Sequence, residues 1–145
     1  MDLSGLKWPI IIVVVVALGW LLTSGGVNFM VNNFTKDTPG IDAAKDMTNE
    51  AGLSRVGAYL LFTWQWQKAS EVLETAVQRY PDGANYYYNL YRIGRCQERM
   101  GYNQAMLEIL RELITADAHA IDERVPHTEN LTIQADTLQE MNDLQ

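Results

Sequence analysis

Hydrophobic and polar positions follow three regimes along this chain, and each regime predicts a different element. From Leu6 to Leu22 there is no alternation: LKWPIIIVVVVALGWLL carries Lys7 as its one charge, and the next charge is Lys36. An unbroken apolar run predicts a helix that is apolar on every side. A helix from Trp8 to about Val31 would span roughly 36 Å, enough for a ~30 Å hydrocarbon core. Pro9 falls in its first turn, where the missing N–H is tolerated. Asn28, Asn32 and Asn33 would carry its far end into the headgroup region. The expectation is an N-terminal membrane anchor over residues 1–34, in contact with the bilayer through residues 8–31. A cleaved signal peptide is the competing reading, with ALG ending at Gly19 as a poor cleavage site and an apolar stretch long for that role.

The second regime has no period. TKDTPGIDAAKDMTNEAG mixes Pro39-Gly40 with charges, and residues 35–49 read as a linker with at most short helical turns.

The third regime is helical, from Gly52 to about Ala116. Leu53, Val56, Gly57, Leu60 and Leu61 recur at spacings of three and four, which places them on one helix face. Ala69, Val72, Leu73, Ala76 and Val77 form the stripe of a second helix, closed by Pro81 and the Asp82-Gly83 turn. Tyr87, Leu90, Tyr91, Gly94 and Met100 mark a third, broken at Gly101. Ala105, Met106, Ile109, Leu110 and Leu113 mark a fourth. Short corners between them predict antiparallel helix hairpins over residues 50–117, and the fold class is all-α. In the tail, residues 118–145, NLTIQADTLQEM has a helical spacing of its own behind Pro126, fit to cap the open end of a stack or to reach a partner.

These residues resemble the tetratricopeptide repeat, whose 34-residue pattern runs aromatic, Leu-Gly, Tyr, Ala, Phe, Ala, Pro. In residues 50–83, Val56-Gly57 stands in place of Leu-Gly, and Leu53 and Leu60 replace the flanking aromatics. Ala69, Leu73, Ala76 and Pro81 fit the second half. Residues 84–117 depart further. Tyr87 and Leu90 match the opening, Tyr91 replaces the small residue, Ala105 and Ile109 come two residues late, Glu112 replaces an alanine and no proline closes the unit. About two repeats are fewer than such a stack needs, so a C-terminal capping helix or a partner should complete the core.

The resemblance implies a concave groove lined by the first helix of each repeat. Carried onto this chain, the groove-facing positions include Asn85, Tyr88, Asn89, Arg92 and Arg95, with Ser54, Ala58, Leu61 and Phe62 in the first repeat. Arg92, Arg95 and Arg99 also share a helix face by spacing alone. The candidate partner-binding residues are therefore Tyr88, Asn89, Arg92, Arg95 and Arg99. Arginine forks suit a carboxylate, and asparagine can hold an extended backbone. A solvated face balanced by Glu98 and Glu112 is the plainer reading. Gly19, Gly25 and Gly26 are the candidates for lateral packing of the span.

Charge narrows the partners. The net charge is -7, and residues 117–145 hold seven acids against Arg124 alone. Such a chain makes a poor ligand for nucleic acid, and the acidic tail reads most simply as a solvated end. Few charges flank the apolar run, and their balance favours an internal N-terminus with the C-terminal domain outside, periplasmic if the membrane is a bacterial inner membrane.

Catalytic chemistry finds little to work with. His119, His127 and Cys96 make neither a zinc set nor a nearby nucleophile–base pair, His119 with Asp122 is a weak metal pair, and no phosphate loop or haem motif occurs. No enzyme, metal or cofactor is expected. The expected role is protein–protein interaction as an accessory or assembly subunit of a larger membrane complex, with other subunits as partners. The alternative is a membrane-tethered receptor or chaperone that takes transient peptide clients in the groove.

Overall fold

The structure is a computed structural model that describes residues 4–143. Its described residues form eight helices and no strand: α1 (Ser4–Leu21), α2 (Ser24–Thr35), α3 (Ala43–Phe62), α4 (Trp66–Arg79), α5 (Tyr86–Arg99), α6 (Asn103–Thr115), α7 (Ala118–Ile121) and α8 (Thr128–Asp143). Helices α3, α4, α5, α6 and α8 pack in chain order, each on the next, with the short α7 inserted before α8.

The N-terminal helix expected from Trp8 to Val31 is not continuous. It breaks at Leu22–Thr23, and α1 and α2 diverge by 75°. Thr23 makes the break: its hydroxyl donates to Trp20 O at 2.6 Å, and its Oγ1 accepts from Gly26 N at 3.3 Å as the N-cap of α2. Gly26 is needed at the elbow, because a Cβ there would lie 2.4 Å from Trp20 O. Among the described residues no single helix is both long and apolar enough to cross a membrane, although the bent pair together has the length and composition.

The two halves of the apolar run go to different places. Every described large apolar side chain of α1 from Trp8 to Leu18 is exposed. In α2, Val27 is buried, and Met30, Val31 and Phe34 pack on the cluster of Leu53, Val56, Leu60, Ala69, Val72 and Ala76. Residues that looked like the outer half of a span are thus a core face of the helical body. Helix α2 runs parallel to α4. Lys68 Nζ reaches Leu22 O at 3.5 Å at one end, and Arg79 donates to Thr35 O at 3.2 Å at the other.

About half of the expected linker is helix, because α3 already starts at Ala43. Asp42 Oδ1 accepts from Ala44 N and Lys45 N, which satisfies the first orphan donors and starts α3 at Ala43. Pro39-Gly40 supplies the preceding turn, with Gly40 at φ 88°. The first turns of α3 are mostly exposed, so they carry no apolar stripe and no period in the sequence.

The hairpins α3–α4 and α5–α6 repeat each other. Trp66 and Asn103, which open α4 and α6, stand 37 positions apart, as do Gly57 and Gly94. The corners match bond for bond. Gln65 N donates to Leu60 O at 2.9 Å and Tyr102 N to Gln97 O at 2.8 Å. Gln65 has φ -88°, ψ 64°, and Tyr102 has φ -88°, ψ 65°. A 34-residue register had put Tyr91 at the close-packed site. The longer corner of residues 80–85 delays the second unit by three positions, so Gly94 takes that site instead. A Cβ on Gly57 would meet Leu73 Cδ2 at 2.3 Å, and one on Gly94 would meet Met106 Sδ at 2.5 Å.

A second core cluster joins Leu90, Met106, Leu107, Leu110 and Leu113 to Val125, Leu131, Ala135 and Leu138. Helix α8 covers α6 with Leu131, Ala135 and Leu138 and leaves its acids outside, so the acidic tail is an ordered cap for most of its length.

Candidate functional site

Tyr88, Asn89 and Arg92, three of the residues singled out on α5, gather between α3, α5 and the segment that follows α7. Ser54 on α3 and Asn89 on α5 are both buried, and the Ser54 hydroxyl donates to Asn89 Oδ1 at 2.9 Å. Arg92, one turn along α5, donates to Ser54 O at 3.1 Å, to Ser54 Oγ at 2.6 Å and to Asn89 Oδ1. Its guanidinium lies 4.6 Å from the centre of the Tyr88 ring. Burial pulls the Arg92 pKa below its ordinary value, with the Tyr88 side chain opposing and Arg124 adding to the fall.

Arg124 also lies over the Tyr88 ring, 4.7 Å from its centre. Asp122 holds it through contacts of 2.9 and 2.7 Å. This pairing lowers the Asp122 pKa, chiefly through the side-chain hydrogen bond, and raises that of Arg124. Arg124 then donates to Asn85 Oδ1 at 2.9 Å. Asn85 in turn donates its backbone N–H to Glu50 Oε1 at 2.7 Å and its amide to Glu50 Oε2 at 3.1 Å. A polar chain therefore runs from Ser54 through Asn89, Arg92, Tyr88, Arg124 and Asn85 to Glu50, stitching α3, α5 and the entry to α8.

Two residues expected to face a groove, Asn89 and Arg92, are thus buried and engaged in holding helices together. Asn89 is inaccessible and Arg92 is 8 % exposed. Tyr88 is half-buried between two cations. Arg95 pairs with Glu98 on its own helix, and Arg99 lies 5.7 Å from the centre of the Trp66 ring on α4. The three arginines do not form one cationic patch; each has a partner of its own. Asn85 and Ser54 belong to the same network. Arg124 and Glu50 carried no sequence signal for it, since an acid buried against a turn is visible only once the turn is placed. Gly83 was the available hint: a Cβ there would lie 2.4 Å from Glu50 Oε1.

The glycines of the apolar run also divide. Gly19 has open space around it, Gly25 stands near Thr23 and Trp20, and Gly26 is occupied by the elbow. Only Gly19 and Gly25 keep a free face.

Other reactive groups are committed elsewhere. Cys96 is inaccessible, and burial pushes its thiol up to about 11 against the opposing pull of Arg92, which leaves it protonated at neutral pH. His119 and His127 stack at 3.7 Å, and His119 Nδ1 lies 2.7 Å from Val125 O. Asp122, the other half of the weak metal pair, belongs to Arg124. Among the described residues no three His, Cys, Asp or Glu side chains gather as metal ligands.

Comparison of the chain with protein-family models, with curated proteins and with solved structures gives no match.

Proposed function

We propose that this chain is a membrane-anchored protein–protein interaction module, a non-catalytic accessory or assembly subunit of a larger membrane complex. The observation that carries the reading is the contrast within the apolar run. Helix α1 exposes Trp8, Ile10, Ile11, Ile12 and the valines that follow, while α2 turns away and joins the core. Its apolar residues lie on all sides, so the helix suits insertion better than lying along a surface, which needs a polar face. The apolar part of α1, from Trp8 to Leu21, reaches roughly 21 Å, about 9 Å short of a ~30 Å core. Embedding it would call on local thinning of the bilayer and snorkelling of Lys7, at a fraction of a kcal/mol per Å of mismatch.

The tetratricopeptide-like reading of the body draws support from hairpins that repeat every 37 residues, a glycine at each close approach and a capping helix. The constitutive role draws support from the polar chain. Asn89 and Arg92 spend their hydrogen bonds inside the body, where a receptor for transient peptides would keep them for clients. Gentle detergent extraction of the native membrane, followed by native mass spectrometry, tests the proposal. A stoichiometric complex containing this chain is the expected result. A lone 16.4 kDa species or a spread of substoichiometric clients would overturn it, and the clients would establish the receptor instead.

A further inference from the structure

The corner between α3 and α4 carries two costs that nothing in the chain offsets. Trp64 sits at φ 57°, in the left-handed region where a bulky side chain is an outlier. The equivalent position of the second hairpin, Gly101, has φ 87° and uses the residue that adopts this conformation freely. A tryptophan in that place gains no burial in return, since its side chain is 77 % exposed, and Phe62 beside it is 83 % exposed.

This corner lies where α1 leaves the body. Lys68, in the first turn of α4, reaches the carbonyl of Leu22, the residue between α1 and α2. The contact of Arg99 with Trp66 brings the C-terminal end of α5, and with it exposed Tyr102, to the same edge. Trp20, at the last turn of α1, is exposed there too and packs against Phe29 with ring centres 5.9 Å apart. One edge of the molecule thus presents Trp20, Phe62, Trp64 and Tyr102 around the exit of an apolar helix, with Lys68 and Arg99 among them. The opposite edge holds the corners with Asp82, Asp117 and Glu123 together with Lys45 and Arg124, while Glu108 and the end of α8 at Asn142 lie beside Tyr102.

We propose that this edge rests on the bilayer interface, with Phe62 and Trp64 as its seat. The occupant is a lipid headgroup region rather than another protein, because the aromatic edge is continuous with α1 and its rings and cations are those that favour the headgroup level. The inference rests on α1 being embedded, as in the function proposed above.

The test uses the full chain in phosphatidylcholine–phosphatidylglycerol vesicles that contain headgroup spin-labelled lipid. One variant keeps Trp64 as its only tryptophan (Trp8, Trp20 and Trp66→Phe); a companion keeps only Trp8. Quenching of Trp64 by about twofold is the expected result, with Trp8, at the opposite end of α1, quenched by headgroup or shallow acyl-chain labels of the other leaflet. Trp8 unquenched by either label would overturn the embedded helix and this proposal with it. Trp8 quenched while Trp64 emission stays constant would overturn the seat alone. If the triple variants lose their helix content, hydroxyl-radical footprinting of the unmodified chain in nanodiscs gives the same answer. Trp64 should then be shielded while Met47, exposed at the far edge, is oxidised freely.

Discussion

The two hairpins adopt the same corner with different residues, and the difference separates what the fold requires from what it tolerates. Both corners need a left-handed residue followed by one whose N–H returns to the helix carbonyl five positions earlier. The second hairpin meets the requirement with Gly101, the first with Trp64. At the helix–helix contact the two agree instead: Gly57 and Gly94 both leave room for a large residue of the facing helix. Close packing is therefore constrained alike in both units, while the corner is open to another demand.

The largest effect should come from breaking the packing of α2 on the body. Val27→Asp would place a carboxylate among Leu53, Val56 and Leu60, and a buried unpaired charge costs at least several kcal/mol. Thermal unfolding should show loss of most of the transition. If α2 belonged to the membrane part, the body would melt unchanged.

Gly57→Val comes next. Overpacking against Leu73, which is inaccessible, should cost about 3 kcal/mol. Gly94→Val should cost less, because the atom in the way is the end of the flexible Met106 side chain. Denaturant midpoints of the two variants side by side check the order, and equal losses would count against the packing described here.

Glu50→Ala should destabilise by about 2 kcal/mol, since it strips the acceptor from the backbone N–H of Asn85. Glu50→Gln keeps an acceptor and should recover most of that loss. A null result for Glu50→Ala would remove the corner at residues 80–85 from the list of structural constraints.

The smallest effects sharpen the comparison of corners, and they have opposite signs. Gly101→Ala meets no atom within 4 Å, so only backbone strain remains, about 1 kcal/mol of destabilisation. Trp64→Gly should stabilise the body by a similar amount in detergent. A loss on Trp64→Gly would mean that the side chain contributes to the fold after all.

The apolar stripes of residues 52–113 were legible because each helix buries one face, and burial leaves a period. The all-α class and the helices of the two hairpins followed from that alone, while the spacing of the tail segment left open whether it caps the stack or reaches a partner. Three features were not legible. Thr23 ends α1 through side-chain bonds inside a run whose hydropathy is high throughout, so the elbow leaves no trace in the pattern. The first turns of α3 are exposed and capped by Asp42, and they have no stripe to read. The second repeat is displaced by its longer preceding corner, which moved the small-residue site from Tyr91 to Gly94. The tetratricopeptide resemblance implied a shared face for Tyr88, Asn89 and Arg92 on α5, but whether such a face meets solvent or another helix depends on the crossing of α3, which no local pattern records.

Central to the account is the proposal that the exposed, all-round apolar α1 serves as an anchor and that the body folds without it. Alkaline carbonate extraction of membranes bearing the full chain, compared with a Val13→Arg, Val16→Arg variant, tests this most directly. Each arginine at the centre of a span costs roughly 2.5–3.5 kcal/mol of insertion, and neither position packs on the body. The account predicts that the unmodified chain stays with the membrane, while the variant is released with its helix content and melting temperature unchanged. Release of both chains, or unfolding of the variant, would contradict it.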